Sequence, residues 1–386
     1  MKKRLVFVMN IPSPYRLHMF RVMYAECQRR GIDFHVHFMA RGHKERPASW
    51  LNPQIDFPHT YWRDWGYKAH HFNPGLIWEL LRNPPDWIHL GSPFDTFTCI
   101  ALAFLSRRVI LCAGCEGNTK TPGRMHGFLG WFKRLVFSRC SFVTVPGADG
   151  ARYVALHQSL TKRQMPIPVL LPNLVDETRF RLRERWPLAE VTACRHGLGV
   201  KDEERLCLIP ARLSPVKGLV PFMDLLSRTM LAQWKIVIMG QGMLREEILA
   251  KARERHIEDR VTILDYVKYD DMPLYYAAAD LLLLPSIYDP NPLSLIEAVH
   301  SGLPVAASCQ CGNIDEAVTD RLNGWVLPVG EKESFARTLA EIFSADLARL
   351  QSMGRYSYEH NARFWRSDLA VGKYLDEVVK TLEGAK

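Results

Sequence analysis

The sequence predicts an α/β protein built from two doubly wound, parallel-sheet domains. Its 386 residues exceed the size at which a single hydrophobic core stops growing, so two domains are expected. Short apolar runs alternate with segments of helical periodicity in both halves of the chain. The predicted strands are apolar almost throughout, which is typical of parallel sheets that carry helices on both faces.

The N-terminal domain is predicted to span residues 1–172. Its strands are predicted in the segments RLVFVMN, DFHVHFM, DWIHL, RVILCAG and SFVTVPG. The helical segments LHMFRVMYAECQRRG and TFTCIALAFLSR lie between them. Because strands and helices alternate, the strands are expected to be parallel and joined by crossover helices.

The C-terminal domain is predicted to span residues 200–365. Its strands are predicted in LCLIPARL, WKIVIMGQG, RVTILDYV, ADLLLLPS and LPVAAS, with helices in LREEILAKARERH, DDMPLYYAAA and PLSLIEAVHSG. A polar, proline-containing segment, residues 173–199, is predicted to be the hinge between the domains. The last residues, 366–386, form an amphipathic helix that needs a surface to cover, which the first domain could provide.

Charge separates the two halves of the chain. The formal net charge is +9, and its positive excess lies in residues 1–175, whereas the remainder is mildly acidic. A basic half suggests nucleic acid, an anionic membrane surface or a phosphorylated substrate as the partner. The sequence contains no zinc-finger spacing, basic zipper or RNA-binding motif, so we predict no nucleic-acid partner.

The cysteines and the apolar segments bear on the compartment. The nine cysteines are spread along the chain without a dense framework, which is typical of a reducing compartment. No apolar stretch approaches the roughly 18 residues that a membrane-spanning helix needs. We therefore predict a cytoplasmic protein and leave open a peripheral association with the inner face of the cytoplasmic membrane.

Two cations follow the first predicted strand of the C-terminal domain. In IPARLSPVKGL, Arg212 and Lys217 lie in the loop before a helix, from which both side chains can reach one anion. Positive side chains beside a helix N-terminus are suited to a diphosphate. After the next strand, Gly240 and Gly242 suit either a tight turn or a ligand contact, but Arg245 stands at the third position of a dinucleotide fingerprint.

The segment YDPNPLSLIEAV is predicted to begin a helix. Asn291 is expected to be the N-cap and Pro292 to occupy the first helical position. The free amides of Leu293 and Ser294, together with the helix dipole, favour a phosphate at this point.

Two carboxylates flank this helix start. Asp289 precedes the helix and Glu297 lies further along it. A carboxylate that faced the phosphate itself would be unfavourable, so both are expected to face uncharged, hydroxyl-rich groups. A phosphate flanked by two polyols describes a nucleotide sugar, with the donor sugar near Asp289 and the ribose near Glu297.

Several segments together resemble glycosyltransferase family 4. They are PNLVDETRF, ARLSPVKG, MGQGMLREEI, YDPNPLSLIEAVHSGLPVAAS and GNIDEAVTDRLNGWVLPVGE, and the resemblance covers residues 173–380. It implies the GT-B fold, in which two Rossmann-like domains face a central cleft. It also implies a retaining transfer of a sugar from a sugar nucleotide. We predict that a hexosyl-type group moves from a nucleotide-diphosphate sugar to a hydroxyl acceptor, in cell-surface glycan biosynthesis.

The resemblance implies roles for the residues that match the family motifs. By position, Arg212 and Lys217 would bind the donor diphosphate and Glu297 would hold the ribose. Asp289 occupies the first acidic position of the family's E-x7-E motif, near the donor sugar, and the main chain at residues 266–267 would take the base. The donor site implied in this way comprises Arg212, Lys217, Gly240, Tyr266, Val267, Asp289, Leu293, Ser294 and Glu297.

The chain departs from the family pattern at two positions. Asp289 replaces the usual glutamate, and Pro292 stands where the family commonly has a glycine whose amide meets the phosphate. No Asp-x-Asp sequence occurs, which argues against the metal-dependent class of sugar transferases, so neither a metal nor another cofactor is expected. Arg212 and Lys217 are then expected to act as catalytic residues that stabilise the leaving diphosphate, with Asp289 at the sugar.

Candidates for the acceptor lie in the N-terminal half. The first loop, NIPSPYRLHMF, offers Tyr15, Arg16 and His18. In CAGCEGNTKTPGR, Glu116 takes the approximate place of a histidine that relatives often have, and it could accept a proton or bind an acceptor hydroxyl. Equally, Glu116 could cap the following turn. His89 follows an apolar run and is expected to be a core histidine.

Residues 124–142 combine basic and aromatic side chains on a predicted helix. This composition suits the surface of an anionic membrane, but core packing with a basic solvent face explains the same pattern. A membrane contact would favour a lipid-linked saccharide as the acceptor. A nucleotide-sugar-binding protein without transfer activity and a peripheral membrane scaffold remain as alternatives.

Overall fold

The computed structural model describes residues 2–42, 54–67, 70–106, 109–120, 125–265 and 267–384. The chain divides into two compact units, which are described separately below. Unit 1 comprises Met1–Val175 together with Ser367–Lys386, and unit 2 comprises Asp176–Arg366.

Among the described residues, unit 1 contains a seven-stranded sheet in which every neighbouring pair of strands is parallel. The strand order is β3-β2-β1-β4-β5-β6-β7, so the order reverses between β1 and β4. Helices α1 to α5 connect the strands. The strands are β1 (Arg4–Met9), β2 (Asp33–Phe38), β3 (His59–Tyr61), β4 (Trp87–Leu90), β5 (Ile110–Gly114), β6 (Phe142–Val145) and β7 (Ile167–Leu170), and the helices are α1 (Pro14–Arg30), α2 (Pro74–Arg82), α3 (Phe97–Leu105), α4 (Gly127–Phe137) and α5 (Ala148–Ser159).

The described part of unit 2 contains a six-stranded sheet, again with every neighbouring pair parallel. The strand order is β10-β9-β8-β11-β12-β13, and it reverses between β8 and β11. The strands are β8 (Arg205–Pro210), β9 (Trp234–Met239), β10 (Val261–Leu264), β11 (Leu281–Leu284), β12 (Val305–Ser308) and β13 (Gly324–Leu327), and the helices are α6 (Leu188–Gly197), α7 (Leu219–Leu225), α8 (Arg245–Glu254), α9 (Met272–Ala278), α10 (Leu293–His300), α11 (Ile314–Ala317), α12 (Lys332–Ser344) and α13 (Leu347–Glu359).

Two doubly wound parallel sheets were predicted from the sequence, and this prediction is confirmed. All ten predicted strands are present. Three further strands, β3, β7 and β13, were not predicted. Strands β3 and β7 are short edge strands whose residues are mostly half-buried or exposed, so they lack a continuous apolar run.

The segment expected to be a hinge is largely structured within unit 2. It contains helix α6, in which Val191 is buried and Arg195 donates to the carbonyl oxygen of Ala278 at 2.6 Å and to Asp280 Oδ2 at 2.8 Å. Asp280 also accepts a 2.6 Å hydrogen bond from Arg183. This buried carboxylate therefore binds two arginines of the segment, Arg183 before α6 and Arg195 within it. The structure therefore begins unit 2 at Asp176 rather than at residue 200.

Helix α14 (Ser367–Gly384) follows unit 2 in the sequence and belongs to unit 1. Its Tyr374 is fully buried against the rings of Phe7 and Trp87, and Arg30 of α1 pairs with Asp376 at 2.6 Å. Helices α1 and α14 contact each other, whereas the buried residues of α2 to α5 form a separate cluster with Val6 and Val8. Phe7 contacts α14 through Tyr374 and lies between Val6 and Val8 on β1. Because successive side chains of a strand point to opposite faces, α1 and α14 lie on one face of the sheet and α2 to α5 on the other.

Candidate functional site

The loops that follow β8 and β11 lie at the strand-order reversal of the second sheet, which is where open parallel sheets bind ligands. Arg212 is the second residue after β8, and its side chain is exposed. Within the described ranges its guanidinium has no hydrogen-bond or ion-pair partner. Lys217 ends a short 3₁₀ helix, Pro215–Lys217, and is half-buried. Both predicted cations are therefore at the carboxyl edge of the sheet.

Glycines hold these loops close together. A Cβ atom on Gly240 would lie 2.1 Å from the carbonyl oxygen of Ala211, and its φ of 155° lies outside the range that other residues favour. A Cβ on Gly218 would lie 2.1 Å from the carbonyl oxygen of Pro285, which follows β11. The absence of a side chain on Gly240 therefore allows its backbone to pack closely against Ala211, the residue before Arg212.

Lys217 and Asp289 form an ion pair. The ammonium group of Lys217 donates to Oδ2 of Asp289, and both side chains are largely shielded from solvent. The backbone also anchors Asp289, since its carbonyl oxygen accepts from Gly312 N at 2.9 Å. The cation predicted at the diphosphate and the carboxylate predicted at the donor sugar are thus brought together.

The predicted start of the next helix is wrong by one residue. Helix α10 begins at Leu293, with Pro292 as the N-cap in an extended conformation, rather than Asn291 as the N-cap and Pro292 inside the helix. The carbonyl of Pro292 accepts from Asn313 Nδ2 at 3.1 Å, which fixes that conformation. Leu293 and Ser294 remain the first two helical residues, whose amides have no partner within an α-helix.

Glu297 lies on the inner side of α10 and is buried. The hydroxyl of Tyr276 donates to Glu297 Oε2 at 2.5 Å. Burial raises the pKa of Glu297 to about 7, an effect that the Tyr276 hydrogen bond and the charge of Arg179 only partly oppose. Burial raises the pKa of the Tyr269 hydroxyl, and the nearby charge of Glu297 raises it further.

Sequence reasoning missed three residues around Glu297, namely Tyr276, Tyr269 and Arg179. The guanidinium of Arg179 lies 4.4 Å from the Tyr269 ring centroid and donates to the Tyr269 carbonyl oxygen at 3.1 Å. Apolar periodicity placed Tyr276 on a helix, but no local signal indicated which carboxylate it contacts. Val267 lies half-buried between β10 and Tyr269, whereas the predicted base-contacting residue Tyr266 lies outside the described residues.

In unit 1, a pocket lies at the strand-order reversal between β1 and β4. It is lined by Tyr15, Arg16 and Glu116, three residues predicted from the sequence. Arg16 donates to Glu116 Oε1 at 2.8 Å and to the Tyr15 hydroxyl at 3.2 Å. Glu116 therefore pairs with Arg16, while Asn118 accepts the Lys120 amide in the turn that follows.

His18 was predicted beside these residues, but it does not line the pocket. Its Nε2 lies 2.9 Å from the hydroxyl oxygen of Ser367, at the start of α14. His89, which was predicted to be a core residue, is buried and stacks on Phe7 with ring centroids 4.3 Å apart. It also lines the pocket, and burial lowers its pKa to about 3, so its imidazole is neutral.

Comparisons with known proteins agree with this architecture. Residues 192–360 match the family model of glycosyl transferases group 1. A D-inositol 3-phosphate glycosyltransferase of Mycolicibacterium gilvum is 32% identical over 221 residues, which cover 56% of this chain and 46% of the relative. Each of the leading curated relatives is matched over less than half of its own length.

Solved structures match almost the whole chain. HepE of Anabaena, crystallised with UDP and glucose, superposes with a TM-score of 0.70 at 16% identity, covering 98% of this chain and 100% of HepE. WaaG, a glycosyltransferase involved in lipopolysaccharide biosynthesis, gives a TM-score of 0.67 at 16% identity, covering 96% of this chain and 98% of WaaG. The chain thus has the GT-B fold, and its residues 192–360 are similar to the glycosyl transferases group 1.

Proposed function

We propose that this protein is a retaining glycosyltransferase that moves a sugar from a nucleotide-diphosphate sugar to a hydroxyl acceptor. One observation carries the proposal. Arg212, Lys217 and the N-terminus of α10 lie at the carboxyl edge of the second sheet, on loops that flank its strand-order reversal. Cations and free amides at such an edge are suited to a pyrophosphoryl group.

The diphosphate would bind between Arg212, Lys217 and the first amides of α10. Arg212 is exposed and available, whereas Lys217 would have to exchange part of its contact with Asp289 for a phosphate oxygen. Asp289 would then face the donor sugar, where a carboxylate can accept hydrogen bonds from hydroxyl groups. Glu297 would accept from the ribose hydroxyls, and the main chain near Val267 would contact the base.

The reaction would retain the configuration of the sugar. The bond between the anomeric carbon and the phosphate oxygen breaks, and the acceptor oxygen forms its bond to that carbon on the same face. The acceptor proton passes to the departing phosphate oxygen, whose charge Arg212 and Lys217 stabilise. This mechanism needs no metal, and the sequence contains no Asp-x-Asp motif of the metal-dependent transferases.

The acceptor would bind to unit 1, in the pocket that Tyr15, Arg16 and Glu116 line. We propose a saccharide or lipid-linked saccharide that serves cell-surface glycan biosynthesis, with the protein in the cytoplasm at the inner face of the cytoplasmic membrane. The likeness to WaaG supports this role, and the UDP in the HepE crystals supports a nucleotide-sugar donor.

Calorimetry with UDP-, GDP- and ADP-sugars tests donor binding, and a saccharide acceptor panel with the donor that binds tests transfer. The anomeric configuration of the product, read by NMR, tests retention, and activity in the presence of EDTA tests the metal-free mechanism. Donor binding without hydrolysis or transfer would favour the alternative of a non-catalytic nucleotide-sugar-binding protein. Inversion at the anomeric carbon would refute the retaining mechanism.

A further inference from the structure

The exposed aromatic side chains of the described residues are concentrated in one part of unit 1. All eight that are at least about one-third exposed lie between residues 65 and 131, whereas the exposed large side chains of unit 2 are aliphatic. The eight are Trp65, Tyr67, Phe72, Trp78, Phe97, Phe104, Phe128 and Trp131. Single exposed apolar residues are ordinary, but such a concentration indicates a contact surface.

Helix α3 is central to this surface. It contacts both α2 and α4, and its sequence, FTCIALAFL, contains no charged residue. Its inner side packs in the core through Cys99 and Leu102, yet Phe97 and Leu105 are 58% and 53% exposed. A helix on the surface of a soluble protein normally carries polar residues on its outer side. The outer side of α3 therefore lacks the charged residues that are usual on a solvent-exposed helix face.

The neighbouring helices extend the same surface. On α2, Trp78 is 66% exposed, and on α4, Phe128 is 74% exposed with its ring centroid 5.8 Å from that of Trp131. Buried residues of all three helices belong to one core cluster, so the helices lie on the same face of the sheet. We name this surface the apolar face. It comprises Trp78, Leu81, Phe97, Phe104, Leu105, Phe128, Leu129 and Trp131.

The charged residues within the three helices of the apolar face are mainly positive. Glu79 is the only carboxylate in the sequences of α2, α3 and α4, whereas Arg82, Lys133 and Arg134 are cations in them. Arg139, just beyond α4, is exposed and its guanidinium carbon lies 6.0 Å from the centroid of the Phe104 ring. The whole of residues 1–175 has the same positive excess.

We propose that the apolar face inserts into the headgroup region of an anionic lipid bilayer. Trp and Phe side chains are favourable at that depth, and flanking cations attract anionic lipid headgroups. A second copy of the chain is a less favourable occupant, because pairing two such faces would bring like charges together. The membrane contact itself is inferred from the apolar face. Its purpose rests on the proposed function, since the contact would place unit 1 beside a lipid-linked acceptor.

Vesicle sedimentation of the full chain tests the contact directly. The probes are vesicles of phosphatidylcholine with and without phosphatidylglycerol, at low and at high salt. We expect binding that increases with phosphatidylglycerol and decreases with salt. The variants F97S/F104S and F128S/W131S should each lower the partition coefficient at least about tenfold, because each removes two large apolar side chains from the contact.

The control variant is L188S/L322S, which changes two exposed apolar residues of unit 2 that are 79% and 51% accessible. It should bind vesicles like the wild type. Circular dichroism and thermal unfolding verify that every variant is folded. Quenching of tryptophan fluorescence by brominated lipids should decrease in W131F and in W78F, since both indoles belong to the apolar face.

Three results would overturn the proposal. They are wild-type protein that binds neither kind of vesicle, double variants that bind as well as the wild type, and lipid-free dimers that the same variants dissociate. Donor calorimetry without lipid separates this proposal from the proposed function. Normal donor binding without vesicle binding refutes only the membrane contact, and the reverse result refutes only the glycosyltransferase.

Discussion

Lys217 and Asp289 pair with each other at the carboxyl edge of the second sheet, although 72 positions separate them in the sequence. The pair joins the 3₁₀ helix after β8 to the loop before α10. In the proposed function these residues contact adjacent parts of one donor, the diphosphate and the sugar. A ligand must therefore compete with Asp289 for Lys217, and the carboxylate opposes a second negative charge nearby.

Replacing Asp289 with Asn separates its ion pair with Lys217 from its proposed contact with the donor sugar. The change removes the charge that competes for Lys217, so we expect calorimetry to show UDP binding that is unchanged or several-fold tighter. Turnover with the full sugar donor should fall at least tenfold, which corresponds to about 1.4 kcal/mol of lost stabilisation. Lys217→Ala is the matched comparison, and it should lower turnover and also weaken UDP binding. Weaker UDP binding in Asp289→Asn would contradict this interpretation of the pair.

Replacing Arg212 with Ala should weaken nucleotide-diphosphate binding at least tenfold. The exposed guanidinium has no partner among the described residues, so its removal should cost little stability. Arg253→Ala is the control, because Arg253 is also exposed, on α8. Calorimetry should show a loss in the first variant and none in the second. Equal donor affinity in the two variants would exclude Arg212 from the site.

Replacing Gly240 with Ala should disturb the loop that carries Arg212. The new Cβ would lie 2.1 Å from the carbonyl oxygen of Ala211, and the backbone would be held at a φ of 155°. We expect a lower melting temperature, a loss on the order of 2 kcal/mol, together with weaker donor binding. Gly330→Ala is the control, since a Cβ there meets no atom within 4 Å. A wild-type melting temperature for Gly240→Ala would refute the packing role.

The raised pKa of Glu297 predicts a pH-dependent stability. Between the ordinary value, 4.5, and about 7, the folded protein holds a proton on Glu297 that the unfolded chain has released. The contribution of Glu297 to the free energy of unfolding should therefore decrease as pH rises through this window and remain constant above it. Glu297→Gln keeps an acceptor for Tyr276 without a charge, and it should remove that decrease. Parallel stability profiles for the two proteins would contradict the assignment.

The Arg16–Glu116 pair predicts an effect on the acceptor alone. Both residues lie in the unit 1 pocket, and Glu116→Gln can still accept the 2.8 Å hydrogen bond from Arg16. If Glu116 receives a proton or binds an acceptor hydroxyl, Glu116→Gln should lower transfer while the donor dissociation constant stays unchanged. Arg16→Ala should raise the KM for the acceptor. A change in donor affinity in either variant would argue against an acceptor site.

The sequence allowed much of the fold and part of the candidate site to be predicted. Mainly apolar runs of four to six residues mark the buried strands, because such strands are covered on both faces and need no polar side. Arg212, Lys217 and Asp289 could be selected since ligand-binding residues follow strand ends. The edge strands β3 and β7 have mixed exposure, and the start of α10 depended on a contact from Asn313, which no local pattern indicates.

The amino-acid order by itself determined the alternation of strands and helices, the positions of the cations and carboxylates along the chain, and the basic character of the N-terminal half. These properties are local, since they depend on periodicity and composition within a few residues. The tertiary structure alone decided that Lys217 meets Asp289, that Tyr276 meets Glu297, that His18 faces α14, and that the outer side of α3 is exposed. Such contacts join residues far apart in the sequence, and only the packing of helices and loops on the sheets determines which side chains meet.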